Sequence, residues 1–279
     1  MLAPFGRRLA GVVSNVTTGG YRILTVLDPT GPLPRAGQFY MLATESGWGG
    51  GGGRPFLPRA FSVAEATGGE DGVRLSFLLE DVGPGTHELA GLGPDGSLQI
   101  TGPLGRPFSP PQAISPAAAG AILVGGGIGL APLAMLRREL AAGGIPERSL
   151  LGFRDRAHSG GLDLFRCSEV RLASEDGHAG HRGYVTDLLA VMLEGDAAAS
   201  AIVYACGPPA MLEAVRALCE RRGVEAELAM ESPMACGFGA CFGCAVPVRG
   251  GGYIRLCVDG PVVRASSIET ALVAGAGHR

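Results

Sequence analysis

The sequence lacks the features that mark membrane-spanning and exported proteins. No stretch reaches the roughly 18 uninterrupted apolar residues that a bilayer-spanning helix requires, although 46% of the residues are hydrophobic. The first residues, MLAPFGRRLAGVV, contain no charged segment followed by an apolar run and a cleavage site, as an export signal would. We therefore expect a soluble, cytoplasmic protein with no membrane association.

Charge of one sign is also scarce. The formal net charge is −3 and no long basic run occurs, so neither a nucleic acid nor an anionic membrane is indicated as a partner. Only 18% of the residues are charged, which is too few for a disordered chain. At about 150 residues per domain, the length of 279 residues predicts two globular domains with a small appendage.

The cysteines do not form the pattern of a disulfide framework. Their number is odd, and four of the seven fall near the end of the chain. They are Cys167, Cys206, Cys219, Cys236, Cys241, Cys244 and Cys257. This clustering indicates a reducing compartment, and we interpret Cys167 and Cys219 as packing residues.

Short runs of strand-forming residues fill the first part of the chain. They are separated by turn sequences such as DPTGPLP and GPDG, and they show no helical periodicity. The runs are RLAGVVSNVT, YRILTVLD, QFYMLAT, RAFSVAEA, VRLSFLLE and GSLQITGP. They predict an antiparallel β-barrel domain over 1–105. The glycines at 49–53 interrupt this pattern and predict a loop.

From residue 116 the pattern changes to strands that alternate with helices. A strand, a glycine turn and a helix are predicted for AAAGAILVGGGIGLAPLAMLRREL. A later strand and helix are predicted for SAIVYACG and PAMLEAVRALCERRG. This alternation predicts a doubly wound parallel sheet over 116–226, and hence a β plus α/β architecture. The cysteine-rich segment over 229–265 is predicted to be a small metal-binding subdomain.

The late cysteines have the spacing C-x4-C-x2-C-x12-C, from Cys236 through Cys241 and Cys244 to Cys257. Three thiolates in a tight loop and a fourth further along the chain are typical of a plant-type [2Fe-2S] cluster. The intervening glycines would let the backbone amides face the sulfur atoms. A structural zinc site would also use four cysteines, but its ligands usually come in two separated pairs, so the spacing favours the cluster.

A glycine-rich loop, VGGGIGLAPL, follows the first strand of the predicted α/β domain. Glycines at such a place let backbone amides approach a pyrophosphate at the start of a helix. The residues concerned are Gly125, Gly126, Gly127, Gly129 and Pro132. Leu130 stands where a standard G-x-G-x-x-G motif has its third glycine, so a plain strand-to-helix turn is the alternative.

Three further motifs suggest ligand contacts, each with a simpler alternative. Cys206, Gly207 and Pro208 end a parallel strand, where ligands of α/β sheets bind, and Cys206 is either a nicotinamide contact or a buried packing residue. Arg59 and Ser62 suit a phosphate, but Arg and Ser on strands are mostly solvated surface residues. The sequence GPGT at 83–86 is either an anion-binding turn or a plain turn.

Together, the ordered motifs resemble those of the ferredoxin-NADP reductase superfamily, and within it the electron transfer subunits of dihydroorotate dehydrogenase B. RAFSV resembles that family's flavin-binding R-P-x-S strand, with Ala60 in place of the usual proline. GPGT resembles its flavin turn, GGGIGLAPL its nucleotide loop, and CGP its nicotinamide-side motif. The segments ESPMACGFGACFGC and CVDGP resemble its cluster segment.

The resemblance implies FAD in the barrel domain, a nicotinamide nucleotide in the α/β domain and a [2Fe-2S] cluster in the last segment. The implied FAD-binding residues are Arg59, Ala60, Phe61, Ser62, Phe77, Leu78, Leu79, Gly85 and Thr86. NAD is the nucleotide that the family uses. From the residues alone the choice stays open, since Arg154 could bind a 2′-phosphate and Asp155 a ribose hydroxyl.

The function implied is electron transfer in pyrimidine biosynthesis. Dihydroorotate would be oxidised at FMN on a separate catalytic subunit, and electrons would pass through the cluster and FAD to NAD⁺. The expected assembly is a heterotetramer of two catalytic and two electron transfer subunits. The alternatives are a reductase subunit for a hydrogenase, a sulfur reductase or an oxygenase, and a cluster-binding or zinc-binding sensor without turnover.

Overall fold

The computed structural model describes residues 6–49, 55–166, 169–195 and 200–273. Of the predicted glycine loop only Gly49 lies within these ranges, and Cys167 lies outside them. None of the described helices is long and apolar enough to cross a bilayer.

The described part of the N-terminal region forms a closed antiparallel barrel of six strands, in the order β1-β2-β5-β4-β3-β6. The strands are β1 (Arg8–Thr18), β2 (Tyr21–Asp28), β3 (Phe39–Thr44), β4 (Arg59–Gly69), β5 (Gly72–Glu80) and β6 (Ser97–Leu104). A short helix, α1 (Pro84–Ala90), connects β5 to β6. Along β6 every second residue is buried, including Leu98 and Ile100, which is the period of a strand with one face toward a core. The barrel predicted from the alternating runs is confirmed.

The second region is a mixed sheet of seven strands within the described ranges, in the order β10-β9-β8-β7-β11-β12-β15. Its strands are β7 (Gly120–Gly126), β8 (Glu147–Phe153), β9 (Val170–Ser174), β10 (His181–Arg182), β11 (Ala201–Cys206), β12 (Ala226–Ala229) and β15 (Val262–Arg264). The helices before and between them are α2 (Pro111–Ile114), α3 (Leu130–Ala142), α4 (Val185–Met192) and α5 (Pro209–Arg222). Strands β7 to β12 pair in parallel, which confirms the predicted doubly wound sheet.

The two faces of this sheet lie in different hydrophobic cores. Helix α3 packs with the barrel, so Leu133 and Leu136 share a core with barrel residues such as Leu75. Helices α4 and α5 contribute to the other core, which also holds Cys244 and Cys257. The barrel residues Phe39, Met41 and Leu104 also belong to this second core, so the cysteine-rich segment packs against the barrel as well as against the sheet.

The cysteine-rich segment is joined to the sheet rather than appended to it. It contains a small hairpin of β13 (Ala245–Pro247) and β14 (Tyr253–Arg255), and then the short helix α6 (Leu256–Asp259). Strand β15 follows and pairs antiparallel with β12, with Leu228 opposite Val263. The sequence showed no sign of this pairing, because β15 is only three residues long.

A charged network anchors the end of the segment on α5. Arg216 lies between Glu213 at 2.7 Å and Glu220 at 2.8 Å, and Glu220 also pairs with Arg249 at 2.6 Å. The Arg216 hydrogen bonds, together with a bond donated by the amide of Ala271, lower the pKa of Glu213 to about 2. The cysteine-rich segment, through Arg249, and the chain that follows it, through Ala271, are thereby bound to helix α5 of the α/β domain.

Candidate functional site: two adjoining cavities and a thiol loop

A crevice lies between the barrel and the carboxyl ends of strands β7, β11 and β12, where ligands of open α/β sheets bind. It holds a cavity of about 470 Å³. The predicted residues that line it are Arg59, Ala60, Phe61, Ser62, Leu78, Gly85, Thr86, Gly129, Pro132 and Cys206. The structure therefore brings residues of the barrel, the glycine loop and the C-G-P motif together at one cavity.

The barrel wall of this cavity presents a cation beside a glycine. A Cβ added to Gly85 would come within 2.8 Å of Nε of Arg59, so only glycine leaves the guanidinium in place. Thr86 fixes the turn instead of pointing its hydroxyl outward, because its Oγ1 accepts hydrogen bonds from the amides of Val82 and Gly83. Arg59 is thus the charged group that can bind a phosphate here.

Strand β5 contributes alternate residues to the cavity. Leu78 and Glu80 line it, whereas Phe77 and Leu79 are fully buried in the barrel core. Phe77 packs edge-on against Tyr40 with ring centroids 5.7 Å apart. Of the predicted stretch from Phe77 to Leu79, the structure places one side chain, Leu78, at the cavity.

A second cavity, of about 640 Å³, adjoins the first on the side of the parallel sheet. Gly126, Gly127 and Pro208 line it, while Gly125 and Gly207 line neither cavity. Both of these glycines instead serve close packing. An added Cβ would lie 3.0 Å from a methyl group of Leu151 at Gly125, and 2.6 Å from Cε of Met211 at Gly207.

Four residues line both cavities and so mark where they meet: Glu80, Val82, Ile128 and Glu231. A ring held in one cavity and a ring held in the other would adjoin at this junction. Sequence reasoning did not single out any of these four for a role. Glu231 could have been found from its position just after β12, because ligands of α/β sheets bind at the carboxyl ends of the parallel strands.

Cys206 lies in the wall of the first cavity as a neutral thiol. Burial, together with the nearby charge of Glu231, raises its pKa well above the usual value for cysteine. A neutral, compact side chain at this place can contact an aromatic ring without adding charge. Cys206 lines the first cavity and not the second, so the predicted nicotinamide contact stays a prediction.

Of the neighbouring charged residues Arg154 and Asp155, only the first lines the second cavity. Arg154 lines the cavity, but the carboxylate of Asp155 hydrogen-bonds His158, with Oδ1 2.6 Å from Nδ1. That hydrogen bond strongly lowers the pKa of Asp155. Besides Glu80 and Glu231 at the junction, the cavity is lined by a third acidic residue, Glu175, which directly follows β9 and which no sequence motif marked.

The four late cysteines stand as two pairs. The Sγ atoms of Cys244 and Cys257 are 3.2 Å apart, and Cys241 hydrogen-bonds Cys236 through its side chain. Within the described ranges, no three His, Cys, Asp or Glu side chains meet as one metal ion would require. Two thiols for each of two irons is the set that a [2Fe-2S] cluster needs.

Backbone amides point at the sulfur atoms, as the glycine-rich loop predicts. The amide of Gly243 donates to Cys241 and the amide of Cys257 to Cys244, each at 3.5 Å. The amide of Gly239 donates to Cys257. The donors to Cys236 are the amides of Phe238, Ala240 and Cys241.

The ionisation of Cys236 reflects these donors. Burial opposes the thiolate, but the hydrogen bonds from the three amides and from the Cys241 side chain outweigh it and lower the pKa of Cys236 to about 6. Thiolates are the ligands of iron-sulfur clusters. The donor set therefore fits a cluster.

Comparisons with known proteins agree with this geometry. Residues 231–269 match the family model described as the iron-sulfur cluster binding domain of dihydroorotate dehydrogenase B. The dihydroorotate dehydrogenase B (NAD(+)) electron transfer subunit of Caldanaerobacter subterraneus subsp. tengcongensis is 34% identical over 243 residues, 85% of this chain and 88% of that protein. The chain belongs to this family of electron transfer subunits. The subunit of Bacillus caldolyticus is 40% identical over 197 residues, 69% of this chain and 73% of that protein. The resemblance seen in the sequence is confirmed.

Solved structures support the same fold. The NADH-dependent reduced ferredoxin-NADP oxidoreductase is similar with a TM-score of 0.78 and 26% identity, covering 95% of this chain and 91% of that one. Phthalate dioxygenase reductase is similar with a TM-score of 0.62 and 18% identity, covering 96% and 97%. The second likeness concerns the fold alone.

Proposed function

We propose that this chain is the electron transfer subunit of a dihydroorotate dehydrogenase. It would receive electrons from an FMN-containing catalytic subunit and deliver them to NAD⁺, in pyrimidine biosynthesis in the cytoplasm. Its own cofactors would be FAD and a [2Fe-2S] cluster, and its assembly a heterotetramer of two catalytic and two electron transfer subunits. The relatives' names motivate the proposal, and one structural observation carries it.

That observation is the continuity between the first cavity and the loop over 236–244 that carries Cys236, Cys241 and Cys244, here called the thiol loop. The cavity wall includes Met230 to Met234, and the chain then reaches Cys236 within two residues. On the other side, Pro261 lines the same cavity four residues after Cys257. A flavin in this cavity and a cluster on these thiols would be close neighbours, as electron transfer between them requires.

Each group has candidate ligands in this chain. Arg59 and Ser62 would hold the phosphate and ribityl parts of FAD, with Leu78 against the ring system. The four cysteines would hold the cluster. When bound, the flavin supplies both one-electron and hydride transfer, and the cluster supplies one-electron transfer.

The protein itself would position the nicotinamide and exclude water. Gly126 and Gly127 would admit the dinucleotide to the second cavity, and Val82 and Ile128 would place apolar side chains at the junction. Cys206 would contribute a neutral thiol to the wall of the first cavity, beside the flavin. Electrons would enter the chain near Cys241, the cysteine of the loop that is exposed.

The test is copurification with the dihydroorotate-oxidising subunit, followed by measurement of dihydroorotate-dependent NAD⁺ reduction. We expect flavin and cluster bands in the visible spectrum and coupled turnover in the complex. If the purified chain shows neither flavin absorption nor cluster bands, the proposal is wrong.

A second candidate function is suggested by the similarity to the NADH-dependent ferredoxin-NADP oxidoreductase, since that structure covers 95% of this chain. In that role the chain would exchange electrons with a subunit that handles ferredoxin and NADP. Coupled turnover with ferredoxin and no response to dihydroorotate would favour this candidate.

We predict that Glu175 makes the chain prefer NAD over NADP. A carboxylate in the nucleotide cavity accepts hydrogen bonds from a ribose hydroxyl and repels a 2′-phosphate. Glu175→Gln should therefore lower the ratio of kcat/KM for NADH to that for NADPH by about tenfold or more, which corresponds to about 1.4 kcal/mol. Steady-state reduction of a dye with both nucleotides measures this ratio.

The matched control for Glu175 is its neighbour. Asp176→Asn removes the next carboxylate, which hydrogen-bonds the backbone and ring of His178 and does not line the cavity. An unchanged nucleotide ratio in Glu175→Gln, or an equal change in Asp176→Asn, would contradict the assignment.

A further inference from the structure

One peptide unit of the thiol loop is held at both ends. The guanidinium of Arg255 donates a hydrogen bond from Nη1 to the carbonyl oxygen of Gly239, at 3.1 Å. The N–H of the same peptide group belongs to Ala240, and it donates to the sulfur of Cys236. A side-chain cation and a cysteine sulfur thus share one peptide dipole.

We propose that Arg255 is a positioning residue for the cluster, which orients and polarises the Gly239–Ala240 peptide so that its N–H bonds the Cys236 sulfur more strongly. The proposal rests on the proposed function, because it presumes a cluster on these cysteines. It adds a role for a residue that is not itself a ligand.

The position of Arg255 is itself fixed from several sides. Its Nε lies 3.8 Å from Oδ2 of Asp259, and the same carboxylate oxygen accepts a hydrogen bond from its backbone amide at 3.0 Å. The guanidinium also lies over the ring of Phe242, 5.1 Å from the centroid. Cation, carboxylate and aromatic ring therefore hold the side chain over the loop.

The loop is shaped to receive this side chain. Gly239 has a φ of +87°, and a Cβ there would come within 2.7 Å of Val258 and 3.2 Å of Nη1 of Arg255. Phe242 adopts a φ of +59°, which is uncommon for a residue with a large side chain. Both residues at unusual backbone angles are in contact with Arg255, which indicates that the arginine and the loop conformation depend on each other.

The electrostatic consequence concerns reduction of the cluster. Hydrogen bonds in a chain polarise one another, and a charged donor at one end strengthens the next bond. Hydrogen bonds to the sulfurs and nearby charge set the potential of an iron-sulfur cluster. Since reduction adds negative charge, Arg255 should make the cluster easier to reduce.

The test is a redox titration of the complete complex carrying Arg255→Gln, read by EPR and visible absorption. At a fixed potential, we expect the ratio of reduced to oxidised cluster to fall by about three- to tenfold, where tenfold corresponds to 59 mV for one electron. The flavin potential should not change. Arg255→Lys, which keeps the charge but loses the planar fork, should give an intermediate ratio.

The control is Arg249→Gln, which removes a charge of the same sign from the same segment. Arg249 bonds Glu220 and the carbonyl of Ile268, and it does not contact the thiol loop. We expect a wild-type cluster potential in this variant. If Arg249→Gln shifts the cluster potential by the same amount, the effect comes from net charge alone and the proposal is overturned.

Two further outcomes are decisive. A wild-type potential and EPR spectrum in Arg255→Gln, with full cluster content, would overturn the proposed role of Arg255 and leave the proposed function intact. If Arg255→Gln loses the cluster, the measurement moves to Arg255→Lys, where a wild-type ratio overturns the role. Absence of cluster bands from the wild-type chain would overturn both proposals together.

Discussion

Cys241→Ser should abolish dihydroorotate-dependent NAD⁺ reduction while leaving NADH-dependent reduction of a flavin-directed dye largely intact. The serine hydroxyl is a poor substitute for a thiolate ligand, so the one-electron connection to the partner would be lost. Replacing a group outside the ligand set already costs about 10- to 100-fold, so we expect more than about 100-fold here. The two assays, run on the same complex, separate the path through the cluster from the path between nucleotide and flavin.

The control for this variant is a cysteine elsewhere. Cys219 is buried on α5 and lines neither cavity. Cys219→Ala should retain both activities. Coupled turnover that survives in Cys241→Ser would show that electrons do not pass through the cluster.

The features that the sequence predicted best depend on short stretches of chain. The spacing from Cys236 to Cys244 places three thiols in one loop, and the amide donors are their near neighbours in sequence. The strand and glycine turn at 120–129 are equally local. Such patterns are readable because neighbouring residues cannot separate far in space.

The features that the sequence did not reveal depend on contacts between distant segments. Glu175 reaches the second cavity because β9 lies beside β8, and Glu80 and Glu231 both line the junction although they are far apart in the sequence. Arg255 reaches Gly239 across the hairpin. No local pattern marks these residues, since an isolated Glu or Arg is usually a solvated surface residue.

Register explains the predicted site residues that do not line a cavity. A strand presents alternate residues to opposite faces. Phe77 and Leu79 therefore share one face and Leu78 points to the other, so the three side chains cannot all line the same cavity. The structure places Leu78 at the cavity and its two neighbours in the barrel core. The resemblance of the motif identified the strand. Which of its side chains point toward the cavity is determined by the packing of the whole barrel.

Gly129 of the glycine loop packs directly against the end of β11. A Cβ there would lie 2.4 Å from the carbonyl oxygen of Cys206 and 2.5 Å from the amide nitrogen of Gly207. Both are backbone atoms, so no side chain can move aside to make room. The two segments would have to separate beside Ile128, where the first and second cavities adjoin.

Gly129→Ala should therefore reduce NADH-dependent dye reduction by about 100-fold, because a misplacement of about 1 Å can cost that much in rate. The cluster bands should persist, since the cysteines lie on other segments. Gly11→Ala is the control, because a Cβ at Gly11 meets nothing within 4 Å. Stopped-flow reduction of the flavin by NADH measures the step directly, and a wild-type rate in Gly129→Ala with normal flavin content would contradict the placement of the nicotinamide at this junction.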